Sequence, residues 1–346
     1  MQRHTLDHPR DLDAQKPWLT PGFEALELST QLVVREALAR GHSVDVLDAA
    51  SHFLRIRGNG KSEYVRQATR TSADSYVSAL IMENKLVTKV LLREAGIRVP
   101  EGREYKDVES ARRDHSYWAG QSIVVKPNST NFGIGVTLLP APFAESAFLH
   151  AVEAAFREDE MVLVEELLAG MEYRLLVIGE ATRAVLHRVP AHIVGDGQRS
   201  IVELVALKNE DPRRGKGYGS PLEKLRTGPE ETEFLRAQGL TFDAVPAAGA
   251  DVALRRNSNI STGGDSIDVT DAMHPGYGDL AVAAAAAVGA RITGVDMMVE
   301  NLAAPPNGTN YGIIELNFNP ALHIHDYPHQ GTNRKVERHV LDLLEL

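Results

Sequence analysis

Apolar residues recur along this chain with two different periods. Leu32, Val33, Ala37 and Leu38 form one stripe at helical spacing. They predict a helix over 29–40, capped by Ser29 and ended by Gly41. Alternation then predicts strands over 43–47 and 52–57, with Gly58-Asn59-Gly60 turning into a third strand over 62–66. A second helix is expected over 84–95, stopped by Gly96, and Pro100 keeps 97–100 extended. Ile123, Val124 and Val125 mark a buried strand over 121–126. Another apolar strand starts at Met161 and runs into Glu165 and Glu166; after a turn at Gly170 a further strand begins at Glu172. An alanine-rich helix opened by His274-Pro275 and closed by Gly289 leads to a strand over 291–299. A loop containing Pro305-Pro306-Asn307-Gly308 returns the chain as a hairpin to a strand over 312–318, and a last helix is expected over 334–344. Helices and strands intermix, so the fold class is α/β (α+β).

The last hairpin carries the most informative polar residues. In Glu315-Leu316-Asn317-Phe318-Asn319-Pro320, alternation puts Glu315, Asn317 and Asn319 on one face and Leu316 and Phe318 on the other. The preceding strand, Gly294-Val295-Asp296-Met297-Met298-Val299, holds one acid inside an apolar run, which is costly to bury without a partner. Asp296, Glu315 and Asn317 would make an oxygen-only site suited to magnesium on phosphates. The plainer alternative is a capped strand end with solvated carboxylates.

Composition changes the picture by exclusion. The 346 residues suffice for two or three domains, and 43% hydrophobic with 24% charged residues describes an ordinary soluble globular protein. A formal net charge of −10 argues against general nucleic-acid binding. The absence of cysteine excludes disulfides, thiolate metal sites and cysteine nucleophiles, and fits a cytoplasmic location. The start is polar, without an apolar leader, and the longest apolar run, 280–288, is too short to span a bilayer, so no membrane is expected.

Three further stretches are weak singly. Lys85 stands at a helix entrance, where a cation does not help the helix dipole; it either serves a ligand or is a solvated surface lysine. Lys126 precedes a small polar loop over 128–136 that contains Ser129, Thr130, Gly133 and Gly135. That loop lacks both the Gly-Lys-Ser/Thr and the Gly-x-Gly-x-x-Gly pattern; it is either a phosphate cradle or an ordinary hairpin loop. Glu165, Glu166, Leu168 and Glu172 offer an apolar slot with an acceptor for an adenine amino group and a carboxylate for a ribose, or simply a solvated hairpin edge.

Taken in order, these stretches resemble the ATP-grasp superfamily of carboxylate–amine ligases. The segments 27–32, Ile81-Met82-Glu83-Asn84-Lys85, 189–197, 257–266 and 315–320 look like the glutathione-synthetase half of the bifunctional bacterial glutamate–cysteine ligase/glutathione synthetase. Cyanophycin synthetase is similar over 189–197 and 261–275. The resemblance covers nearly everything after about residue 24, and the glutamate–cysteine ligase half has no counterpart. It implies an ATP-grasp fold, two α+β subdomains gripping ATP, preceded by a small N-terminal α/β region. The expected organisation is an arm over 1–23, the N-terminal region over 24–80 and the ATP-grasp domain over 81–346. That domain would hold a lid over about 100–168, a flexible insertion over about 195–248 and the metal-bearing strands over 291–320.

The resemblance also implies roles. Lys85 and Lys126 would contact the ATP phosphates, with the loop of Ser129, Thr130, Gly133 and Gly135 closing over them. Glu165 would face the adenine amino group, the backbone at Glu166–Leu168 its edge, and Glu172 the ribose. Two Mg2+ ions, or Mn2+ in their place, would sit at Asp296, Glu315 and Asn317. Arg174, Arg188 and, on one face of an expected strand over 254–259, Arg255, Asn257 and Asn259 would hold the acyl phosphate and the amine's carboxylate; the alternative for that strand is a solvated surface. The implied substrates are a γ-glutamylcysteine-like acid and glycine or another amine, and a homo-oligomer is compatible with the family. A ligase with a different acceptor and a non-catalytic ATP-binding paralogue remain as alternatives. His323, His325 and His329 either line the substrate end or satisfy a polar lid.

Overall fold

The computed structural model describes residues 16–130, 134–217 and 219–346. Residues 16–23 form a packing extension: Trp18 is buried against Leu28 and Leu32, and the Thr20 amide donates to Gln31 Oε1 at 2.9 Å. The first helix, Leu28–Ala39, starts without a side-chain cap. Ser29, expected as its cap, instead lies buried in the first turn, where its hydroxyl accepts from the Leu322 amide at 3.0 Å and shares a hydrogen bond with His323 Nδ1 at 2.8 Å. A tertiary partner has replaced the local one. Strands Ser43–Asp48, Phe53–Gly58 and Lys61–Arg66 follow as an antiparallel sheet. The helix and this sheet share a core with the short C-terminal helix Glu337–Leu343, through Val33, Ala37, Leu54, Ile56, Val340 and Leu341.

A five-stranded antiparallel sheet forms the centre, in the order Asp265–Asp268, Ala181–Val189, Met171–Ile178, Ile292–Val299, Tyr311–Asn317. Both faces are covered, which explains the unbroken burial of Leu175–Ile178. Leu175, Val177, Val295 and Met297 pack with Tyr277, Ala281 and Ala284 of the helix Pro275–Ala287. Leu176, Ile178 and Ile292 join the N-terminal core on the other face. Further along that same face, alternation places Arg174 and Asp296.

A four-stranded sheet, Gly102–Tyr105, Val162–Glu166, Ile123–Pro127 and Thr137–Leu139, packs on Glu145–Phe156 with Trp118, Phe148 and Val164 at its centre. The expected helix over 84–95 is Lys85–Glu94, separated from Tyr76–Glu83 by Asn84, whose side chain accepts from the Val87 amide at 3.1 Å.

The segment expected as a flexible insertion is largely ordered. Helices Ile201–Lys208 and Pro229–Ala237 and the strand pair His192–Val194/Asp251–Ala253 bury Ile193, Ile201, Leu204, Leu235 and Val252 in a core of their own. Two of its basic residues are also engaged. Arg214 is buried against Asp265, and Arg213 pairs with Asp211 at 2.7 Å. Among the described residues no helix is long and apolar enough to cross a membrane.

Candidate active site

The last hairpin pairs Asp296 with Glu315 and Gly294 with Asn317. A bulge creates this register. Met297 faces Ile313, so Asp296 would face Ile314 without the extra residue that brings Glu315 opposite it. Arg174 reaches Asp296 from the neighbouring strand with two hydrogen bonds, Nε to Oδ1 at 2.6 Å and Nη2 to Oδ2 at 2.5 Å. Arg188 Nη1 adds a third, to Oδ2 at 2.9 Å. Burial would raise the Asp296 carboxyl, but the two guanidinium groups more than offset it and hold it at about 2. Glu315 is pushed the other way, up, by burial and then by the Asp296 charge. Asn317 Nδ2 lies 3.3 Å from Asp296 Oδ2 and 3.4 Å from Glu315 Oε1.

The three residues expected to hold metal are thus together. Among the described residues no group of three His, Cys, Asp or Glu side chains forms a metal cluster; the acids here are two, with an amide beside them. The donor set fits a hard cation that takes its remaining ligands from phosphate oxygens. Glu315, raised beside a second carboxylate and in no ion pair among the described residues, is the group such a cation would relieve. Asn319 does not join them. The strand ends at Asn317, alternation lapses, and Asn319 Oδ1 accepts from Thr69 Oγ1 at 2.8 Å.

Lys85 is buried, not solvated, and donates to the Asn128 carbonyl at 3.2 Å and the Thr130 carbonyl at 2.5 Å. Lys126 pairs with Glu165 Oε2 at 2.7 Å, while Lys89 takes Oε1. The Glu165 carboxylate, expected to face adenine, is therefore occupied by two lysines. Burial would raise it, but Lys126 and Lys89 prevail and lower it. Burial and then the Lys126 charge push the Lys89 ammonium down. For Lys126 burial acts downward but the Glu165 charge wins, and the ammonium is raised. Lys89 was missed from the sequence, although it lies one helical turn beyond Lys85 on the same face.

Glu166 is partly exposed; its Oε1 accepts from the Glu101 amide at 3.0 Å. The amides of Glu166 and Leu167 go to the Glu101 and Ser122 carbonyls. Leu168 is buried over Gly312, where a Cβ would come within 2.5 Å of its Cδ1. Glu172 is not a free hairpin edge: it accepts from Ser258 Oγ at 2.7 Å and pairs with Arg188 at 3.1 Å. In the loop, the Ser129 amide donates to Asp159 Oδ2 at 2.6 Å and Thr130 Oγ1 to the Ile134 carbonyl at 3.0 Å. Gly135 has a φ of +72°, which favours glycine. Gly133 lies outside the described residues.

The expected strand over 254–259 does not form. Pairing stops at Ala253, so Arg255, Asn257 and Asn259 share no strand face. Asn259 Oδ1 accepts from Arg188 Nη2 at 2.7 Å and so belongs to the acid site. Asn257 Oδ1 accepts from Thr262 Oγ1 at 2.8 Å. Arg255 turns to the insertion and pairs with Glu230 and buried Glu231. The histidines also separate. His323 lines the cleft beside Ser29, His325 is fully buried with its ring pushed down to about 3 by burial, and His329 approaches Asp265 at 3.9 Å.

Lys85, Arg174, Arg188, Asn259, Glu315 and Asn317 line one cavity of about 550 Å³, which continues to Glu27 and Arg70 of the N-terminal region. The cleft lies between the central sheet and a lysine-bearing helix and is lined by charges of both signs.

The model of a family described as an ATP-grasp-like domain matches residues 24–77, the first helix and the three-stranded sheet, which the sequence expectation set before the ATP-grasp domain. A solved bifunctional glutathione synthetase from Pasteurella multocida superposes with a TM-score of 0.75 at 44% identity, covering 96% of this chain and 46% of that one. The chain has the fold of the ATP-grasp proteins. Within them it is similar to the glutathione biosynthesis bifunctional protein GshAB: 51% identical over 323 residues to that of Clostridium perfringens and 46% to that of Desulfotalea psychrophila. The chain spans less than half the length of these relatives, 42% in each case.

Proposed function

We propose that the chain is an ATP-dependent carbon–nitrogen ligase that joins a γ-glutamylcysteine-like acid to glycine. The observation that carries the reading is the Asp296–Glu315 pair: two buried carboxylates in register, one clamped by arginines and the other in no ion pair among the described residues. A paralogue freed from catalysis would have no use for so costly a pair.

In this reading the substrate carboxylate attacks the γ-phosphorus of ATP and ADP leaves. The amine then attacks the acyl carbonyl carbon, and phosphate leaves as the amide forms. Lys85 and Lys126 bind phosphate oxygens as point charges. Asp296, Glu315 and Asn317 would hold Mg2+, two ions in the fuller form of the proposal, which when bound neutralises charge on the phosphates. Arg174 orients Asp296. Arg188, with Asn259, faces the acyl phosphate. Glu172 meets the ribose, and the backbone near Leu168 the adenine edge. The segment over about 100–168 acts as a lid, and its 128–136 loop shields the acyl phosphate from water.

The test is phosphate release from the purified chain with Mg-ATP and γ-glutamylcysteine, with and without glycine, and the product mass. Release that needs both, with the mass of glutathione, supports the reading. Release only with another acid or amine reassigns the substrates. ATP binding without release across an amino-acid panel overturns the ligase.

A further inference from the structure

The cleft has a second charged end that the phosphate chemistry does not use. Arg70 follows a bend in which Gln67 and Ala68, neither a glycine, have φ values of +51° and +62°. Such backbone is strained and persists where the surroundings demand it. The bend sends the Thr69 hydroxyl to Asn319 at 2.8 Å and lays the Arg70 guanidinium over the Phe318 ring, 5.0 Å from its centroid. Among the described residues no carboxylate lies within ion-pair distance of Arg70, and its buried Nε has no hydrogen-bond partner. Across the same cavity is Glu27, just before the first helix, whose Oε1 accepts only from Thr30 Oγ1 at 3.1 Å among the described side chains. The two charges feel each other without touching. Burial pushes the Glu27 carboxyl up, and burial followed by Arg66 pushes the Arg70 guanidinium down. Both shifts are those of charges still waiting for partners. An exposed carboxylate, Glu83, also stands on the lip of this cavity and acts on Arg70 from outside.

We propose that Glu27 and Arg70 form a receptor for a zwitterionic α-amino-acid head group, the ammonium on Glu27 and the carboxylate on Arg70, at the far end of the acyl donor. The inference rests on the carboxylate–amine ligase reading. Phe318, under Arg70, lies just past the end of the strand that carries Glu315 and Asn317, and all of them line one cavity. A dipeptide acid joined through a γ-carboxyl carries a charged head group remote from its reacting carboxylate; a single amino acid does not. The acceptor amine is a poor occupant, because its nitrogen must stay unprotonated beside the reacting carbonyl and not rest against a distant carboxylate. A γ-glutamyl group, with free α-ammonium and α-carboxylate, supplies both charges. A planar guanidinium stacked on a ring suits bidentate carboxylate binding.

Calorimetry on the purified chain tests this without turnover. The probes are γ-glutamylcysteine, 4-aminobutyrylcysteine, which lacks the α-carboxylate, and glutarylcysteine, which lacks the α-amine. The wild type is expected to prefer the first by roughly tenfold or more over each analogue. Arg70→Ala should erase the margin over 4-aminobutyrylcysteine and keep that over glutarylcysteine; Glu27→Gln should do the reverse, and Arg70→Lys should restore part of the first. ATP affinity should not change in any variant. A wild type without these margins, or an Arg70→Ala variant that keeps both, overturns the receptor. Intact margins in a wild type that releases no phosphate would overturn the ligase reading alone.

Discussion

Arg174 and Asp296 are register partners on the third and fourth strands of the central sheet, and the guanidinium holds the carboxylate by both its oxygens, at 2.6 and 2.5 Å. If Asp296 served only a metal, Asp296→Ala would remove ATP turnover and spare the fold. The geometry predicts otherwise for the fold, because the substitution leaves Arg174 and Arg188 facing each other in a buried site. Breaking such a pair costs roughly 3–5 kcal/mol, measurable by urea unfolding. Asp296 is held at about 2 in the folded state, below its ordinary value. Its contribution is therefore full above the usual carboxylate range and fades as pH falls toward 2, a limb that Asp296→Ala should lack.

Glu315 separates the metal role from the fold. Its carboxyl is raised by burial and by Asp296, so the ionised form costs stability as pH rises above the usual carboxylate range. Glu315→Gln removes that cost. Without metal, the variant should melt higher than the wild type near neutral pH. Adding Mg2+ with ATP should raise the melting temperature of the wild type and do so much less for the variant, and turnover should fall by roughly 100-fold or more. A variant with wild-type turnover and an unchanged response to Mg2+ would remove Glu315 from the metal site.

Where the sequence was read correctly, a period or a chemical cost decided the matter. The apolar run around Asp296 and the alternation of Glu315 with Asn317 were enough to bring the three together. The strands Ile123–Pro127 and Val162–Glu166 followed from unbroken hydrophobicity in the same way, although their pairing did not. The failures came from partners far along the chain. Ser29 looked like a cap because its true partners, Leu322 and His323, are nearly 300 residues away. Arg255 looked like part of a strand face because nothing local shows that pairing ends at Ala253. Glu165 looked like a ligand acceptor because Lys89 sits 76 positions upstream. Arg70 and Glu27 carry no local mark at all; only the fold brings them to one cavity.

Glu165 serves two lysines, and one carboxylate cannot neutralise both. Lys89 is the group pushed down, so stability should rise with pH as it loses its proton in the folded state below the ordinary lysine value. Lys89→Met should flatten that rise and cost less than about 1.5 kcal/mol, since Lys126 keeps its partner at 2.7 Å. Glu165→Ala strands both lysines and should cost roughly 3–5 kcal/mol. Urea unfolding at several pH values distinguishes the two substitutions. Equal destabilisation by both would contradict the shared-carboxylate arrangement.

Arg255→Ala is expected to act on the insertion and not on the substrate. Its partner Glu231 is buried and would be left without its cation, at a cost of roughly 3 kcal/mol. The KM for the acyl donor should not move, in contrast to the sequence expectation that this arginine binds it. Steady-state kinetics below the melting transition, paired with urea unfolding, give both numbers. A raised KM with unchanged stability would return Arg255 to the substrate site.

Asp265 fastens the insertion to the edge of the central sheet. Lys208 reaches Oδ2 at 2.7 Å, buried Arg214 takes Oδ1, and the rings of His192 and His329 stand at 3.7 and 3.9 Å. Burial would raise the carboxyl, but Lys208 and Arg214 outweigh it and hold it below the ordinary value. The tie is therefore strongest above the usual carboxylate range and weakens as pH falls through the lowered folded value. Asp265→Asn should lose about 3 kcal/mol near neutral pH and show a shallower acid limb than the wild type. If the tie is local, hydrogen exchange should quicken first in Ile201–Lys208 and around Arg214, while the strand Met171–Ile178 stays protected. Uniform acceleration across both would mean that Asp265 supports the central sheet itself and not the attachment of the insertion to it.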